Sequence, residues 1–266
     1  MPTPAEADHT YACPTLGKRG HSKRSAIPLY TLHRKRPTLA LRLVVNPILA
    51  DIPITLVLLV WMGFVLLVAS RWVYNFVLKR GWDPKRATYL GRKVVHIFGA
   101  GIVAVTLPFE FHEPYFPFAF AMVLALFTFT LHKTGRVLHW FQDPANYSET
   151  YFALTWGAAV LVTWFFDSTF LLAVVPTLFM AWGDGVTGVV RNLMYKKRTK
   201  AWEGSLAMLL VCIPVGALMG VAGVVAGALS TAVERLDRID DNITIPIISL
   251  CVLIPAWALK LNIPIL

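Results

Sequence analysis

Seven uninterrupted apolar runs of near-bilayer length constrain this chain more than any other feature. They cover 52–70, 94–108 (extendable to Glu110), 114–131, 150–166, 169–190, 205–233 and 243–265. A helix needs roughly 20 predominantly apolar residues to cross the hydrocarbon core. The runs are continuous rather than alternating, which excludes the pattern of a membrane barrel. The longest polar loop between them is 71–93, so no separate soluble domain is left over. The expected fold is an all-α polytopic membrane helix bundle with about seven transmembrane helices. The run 205–233 leaves the count open. As one helix it measures about 43 Å at 1.5 Å per residue, long for a core of roughly 30 Å. It carries Pro214, Gly216, Gly220, Gly223 and Gly227. It reads as one tilted helix, or as a hairpin of two short helices turning near Gly220–Gly223, which raises the count to eight. Composition agrees: 56% of residues are apolar and 15% charged, against about 25% charged in a soluble domain.

The charges are unevenly placed. The chain carries 25 Lys and Arg against 15 Asp and Glu, a net +10. Residues 1–36 are polar and basic, without helical or strand period, and 37–50 is a mixed segment suited to the membrane interface. The expected organisation is a basic tail over 1–50 and an integral membrane domain over 51–266. The loops 71–93, 132–149 and 191–203 hold seven, two and five Lys/Arg, whereas 109–113 and 167–168 hold none. The basic loops are therefore expected on the cytoplasmic side. The tail conflicts with this if 52–70 is a full span, because it then lies outside. The first long apolar run starts only near Asp51, so no cleavable leader is expected. Cys13, Cys212 and Cys251 form no C-x-x-C pair, which argues against a redox or zinc site. No phosphate-binding P-loop is present. The cations are not interleaved with aromatics on one soluble surface, which argues against nucleic acid as a partner.

Four polar clusters sit at the ends of apolar runs. Arg92, Lys93 and His96 share one helical face by their three- and four-residue spacings. They form a phosphate clamp, or snorkelling cations beside a histidine that is harder to dismiss inside an apolar run. Gly183-Asp184-Gly185 puts a carboxylate where an unpaired charge is costly, so Asp184 needs a partner or a cation. Its flanking glycines suit a close phosphate or a close helix. Lys200, Glu203, Gly204 and Ser205 lie at the end of a basic loop, which reads as a lipid-binding loop and a plain helix start on the bland view. Glu234, Asp237, Asp240, Asp241 and Asn242 concentrate four carboxylates within eight residues. They suit a magnesium–phosphate complex or a helix cap.

In this order, R-K-x-x-H, G-D-G, K-x-x-E-G-S and V-E followed by D-D-N-x-x-x-P, the clusters resemble the polyprenol/phytol/dolichol kinase family, membrane enzymes distantly grouped with phosphatidate cytidylyltransferases. The resemblance covers about residues 85–260 and favours the hairpin, which returns Glu234–Asn242 to the side of the other clusters. It implies transfer of the terminal phosphate of CTP or another NTP to an isoprenoid alcohol such as phytol, geranylgeraniol or dolichol, which reaches the site from the bilayer while the nucleotide comes from the cytoplasm. On that likeness Asp184, Asp240 and Asp241 hold Mg2+ or another divalent cation. Arg92, Lys93 and Lys200 meet phosphate oxygens, with Gly183, Gly185, Gly204 and Ser205 around the nucleotide. His96 or a carboxylate orients the alcohol, Glu203 orients Lys200 or joins the metal, and Glu234 and Asn242 complete the motif. The alternatives are cytidylyltransferase-type CDP-lipid synthesis, a CTP-dependent diacylglycerol kinase, and a small membrane transporter.

Overall fold

The computed structural model describes residues 47–196, 199–236 and 239–261. The basic tail 1–36, Cys13, most of the mixed segment, and Lys197, Arg198 and Asp237 lie outside the described residues. Those described are helical and contain no strand. Among the described residues eight helices run in chain order: α1 (Pro47–Leu78), α2 (Pro84–Glu110), α3 (Tyr115–Lys133), α4 (Ser148–Trp164), α5 (Leu171–Tyr195), α6 (Trp202–Ala217), α7 (Gly220–Glu234) and α8 (Asp241–Ala258). Of these, α1, α2, α3, α5 and α8 are long and apolar enough to cross a membrane, and α6 and α7 are shorter apolar helices.

Run 205–233 is a hairpin. The chain turns through Leu218 and Met219, and Gly220 takes the left-handed φ of 68° that favours glycine. Just beyond the turn the two backbones touch. A side chain on Gly216 would strike the Gly223 carbonyl, and one on Gly223 would strike that of Gly216. Helix α7 then runs antiparallel to α6 and α8 antiparallel to α7, which brings Glu234 and Asp240–Asn242 to the same end as the basic loops.

Three helices start earlier or end later than their apolar runs. Helix α1 continues to Leu78 because its last turns are amphipathic: Ser70, Tyr74 and Val77 recur on one buried stripe. Helix α2 begins at Pro84, where Asp83 caps it by accepting from the amides of Lys85 (3.0 Å) and Arg86 (3.3 Å). Arg92 and Lys93 are therefore buried helix residues rather than loop cations. Helix α5 likewise continues through Tyr195, which carries Arg191 into the interior.

The central element is α5. Inside the bundle 78% of its most apolar window is buried, against 22% for α1 and α3. It packs on α2, α4, α6 and α8. Three helices widen by one residue per turn into π-helical segments: Val65–Ala69 in α1, Val95–Ala100 in α2 and Phe179–Gly183 in α5. The segment in α2 touches both of the others. At the end far from the basic loops, the buried carboxylate of Asp51 accepts from the His112 and Glu113 amides (3.0 and 3.1 Å). It lies 2.7 Å from His112 Nδ1, which pins the start of α1 to the α2–α3 turn.

Candidate functional site

The site forms where α2, α5, α7 and α8 meet. Lys93, from α2, is buried, and its Nζ donates to Asp184 Oδ2 of α5 at 2.7 Å. One turn on, His96 Nδ1 lies 3.9 Å from the same oxygen, beyond hydrogen-bond reach. Both helices widen at this level, the segments Val95–Ala100 and Phe179–Gly183 flanking the contact. Such turns recur at functional sites. Glycines make the approach close enough. A side chain on Gly188 would strike the Lys93 stem, and one on Gly185 would lie 2.6 Å from Ile97. Gly183 faces Cys212 and Met208 of α6 in the same way. The open faces of Gly183 and Gly185 are thus taken by neighbouring helices.

A second group lies across the cavity. Arg191, seven residues after Asp184 on the same face of α5, grips Glu234 of α7 with two bonds of 2.7 and 3.0 Å. It also donates to Ser205 Oγ (3.1 Å) and the Ala201 carbonyl (3.0 Å). Lys200 donates to Glu234 Oε1 (2.9 Å) and Asp241 Oδ2 (3.1 Å), and to the Glu234 carbonyl. Partial burial pulls the Lys200 ammonium down, but the carboxylates of Asp241 and Glu234 outweigh it and raise it above its ordinary value.

Asp184, Glu234 and Asp241 each offer a carboxylate oxygen within 4.8 Å of the others. Asp241 Oδ1 is buried and has no hydrogen-bond partner among the described residues. Three oxygens of this kind are the donor set of a hard divalent cation. Lys93, Arg191 and Lys200 interleave with these three acids, so the six formal charges cancel. Such a balanced cluster can trade partners: a phosphate chain offers acceptors to the cations, and a divalent cation takes the oxygens they release.

The expected residues divide between the cavity and its supports. A cavity of about 780 Å³ opens at this end, within the range of small-molecule sites. Arg92, Lys93, His96, Asp184, Lys200, Glu234, Asp240, Asp241 and Asn242 all line it. Asp240 stands apart from the carboxylate trio. Its Oδ1 caps α8 through the Asn242 amide (2.9 Å) and its Oδ2 accepts from Ser148 (2.6 Å). Asn242 Nδ2 reaches the Ser148 carbonyl at 3.2 Å, tying α8 to α4. Glu203 accepts from Tyr195 (2.5 Å), Gly204 lies against the Arg191 side chain, and Ser205 holds Arg191; these three stand behind the cavity wall. Arg92 faces away from the trio, its Nε 2.8 Å from Glu149 Oε1 of α4. Sequence reasoning missed Arg191 and Glu149. The seven-residue spacing from Asp184 to Arg191 marks one helical stripe and was the available signal. Glu149 has none, because its partner is 57 positions away and the pairing is tertiary.

The chain is 30% identical over 188 residues to a phytol kinase of Synechocystis sp., an alignment covering 63% of this chain and 78% of the relative. No family model and no solved structure matches it.

Proposed function

The chain belongs to the phytol/polyprenol kinase-like family, and from that premise we propose that it is a membrane-embedded lipid kinase that transfers the terminal phosphate of CTP or another NTP to an isoprenoid alcohol. The observation that carries the reading is the convergence of four sequence-distant clusters on one cavity at one end of an apolar bundle, with Asp184, Glu234 and Asp241 within 4.8 Å.

Phosphoryl transfer needs positioning and charge neutralisation more than covalent help from the protein. Lys93 and Lys200 would meet the phosphate oxygens, and Arg191 holds Glu234 in place through its paired bonds. Asp184, Glu234 and Asp241 would hold the divalent cation, with Asp240 fixing the helix end that carries Asp241. Bound there, magnesium would supply positive charge to the phosphates. His96 borders the same cavity and would orient the alcohol hydroxyl. The cavity end is assigned to the cytoplasm, because the surrounding loops carry the chain's excess of Lys and Arg.

The test is a membrane assay with labelled CTP, ATP and GTP against phytol, geranylgeraniol, dolichol and diacylglycerol. Phosphorylated isoprenoid with release of the nucleoside diphosphate is expected. Pyrophosphate release would assign CDP-lipid synthesis instead, and no lipid product in any combination would overturn the kinase reading. Asp184→Asn is expected to lower turnover by roughly 100-fold or more at unchanged membrane expression. Full activity in that variant would remove the cation from this trio.

A further inference from the structure

A second, smaller cavity of about 30 Å³ lies deeper in the bundle, walled by α1, α2, α3 and α4. Its lining is almost wholly apolar: Met62, Leu66, Val103 and Phe152 are among the residues around it. Four buried polar side chains also line it. Thr128 is hydrogen-bonded to the Leu124 carbonyl and to Thr150, whereas the other three carry atoms without a hydrogen-bond partner among the described residues: His96 Nδ1 and Nε2, both oxygens of Glu149, and Trp156 Nε1. Arg92 lies beside Glu149 but directs its Nε hydrogen towards the Phe141 carbonyl (3.4 Å). Leaving such groups without a hydrogen bond in an apolar interior costs about 1–3 kcal/mol each. Three in one small chamber point to a polar group that belongs there, small enough for that volume and attached to something apolar. His96 is common to the walls of this chamber and of the large polar cavity.

We propose that this chamber is the seat of the acceptor hydroxyl: Glu149 accepts its O–H, while His96 and Trp156 meet the oxygen and the apolar walls take the first carbons of the chain. This rests on the lipid-alcohol kinase reading and deepens it, for it makes Glu149 a substrate-binding residue and His96 the point where the hydroxyl meets the polar cavity. A hydroxyl is favoured over a carboxylate or phosphate because the chamber already holds one carboxylate, and Arg92 is its one cationic neighbour at ion-pair distance among the described residues.

The test separates the seat from the chemistry. The full-length protein in nanodiscs is photolabelled with a diazirine analogue of geranylgeraniol carrying the diazirine near the hydroxyl, and the labelled residues are mapped by mass spectrometry. Label on Met62, Leu66, Phe152 or Trp156, displaced by unlabelled alcohol, supports the seat. It does so even if no alcohol is phosphorylated, in which case the kinase reading fails alone. Ala153→Leu, which fills the chamber, is expected to cut that label at least 10-fold while labelled CTP still binds. In the kinase assay Glu149→Gln is expected to raise KM for the alcohol at least 10-fold and leave KM for the nucleotide within twofold. Trp156→Phe, which removes one N–H at nearly constant shape, is expected to raise it about threefold, and it serves if Glu149→Gln does not fold. Alcohol phosphorylation with label elsewhere, or with equal shifts in both KM values, overturns the proposal; the chamber is then a water site.

Discussion

At the scale of single residues, the informative contrast is between pairs and their halves. Arg191 and Glu234 are both buried and doubly bonded. Removing Arg191 breaks both bonds and leaves Glu234 with Lys200 as its remaining bonded cation, whereas removing both partners is milder. Arg191→Met is therefore expected to lower the thermal midpoint sharply in detergent, and Arg191→Met/Glu234→Gln to recover part of that loss without recovering activity. The pH dependence follows from Lys200. Its value is raised on folding, so its pairing stabilises fully below the ordinary lysine value of 10.5 and is lost as pH rises through the higher folded value. The stability gap between the wild type and Lys200→Met should close as pH rises above 10.5, as read by thermal scans at each pH. Individual side chains were only partly legible beforehand. Asp184 announced itself because an acid in an apolar run must have a partner. The choice of Glu234 over Asp240 did not, since it depends on which carboxylate caps α8 and which points into the bundle.

At the scale of elements, the hairpin decides whether the site exists. It was legible as an alternative because a 29-residue run with four glycines and a proline is too long for one comfortable span. The actual turn at Leu218–Met219 lies just before the expected Gly220–Gly223, because the later glycines serve contact rather than bending. Gly216→Ala is expected to destabilise by about 1–3 kcal/mol or more, since the new methyl meets backbone that cannot move aside. Gly63→Ala, at a helix position with no neighbour within 4 Å, should be neutral or stabilising by about 0.5–1 kcal/mol. Thermal midpoints of the two variants check the contrast. The ends of α1, α2 and α5 were illegible for a related reason. Their polar turns look like loops by composition, and only packing of stripes such as Ser70, Tyr74 and Val77 makes them helix.

At the scale of the whole molecule, the apolar runs made a helical membrane bundle legible from the outset, whereas α5's central place follows only from packing. The loops at the cavity end include Gly135 and Asp143, and the opposite end holds Glu113. In a cysteine-free background, single cysteines at 135 and 143 are expected to react with a membrane-impermeant maleimide from the cytoplasmic side, and one at 113 from the other. The reverse pattern would invert the orientation. The three touching π segments carry a further consequence. Each is one residue more than a regular helix holds, and one residue turns a helix by about 100°. They act as phase shifters between the preceding and following portions of α1, α2 and α5. Deleting a single residue from Phe179–Gly183 would leave α5 apolar, helical and long enough to insert, yet would rotate Asp184 away from Lys93 and Arg191 away from Glu234 together. Alignment of the cavity residues in this bundle is thus a matter of angular timing, which one codon can advance or retard without changing Asp184 or Arg191.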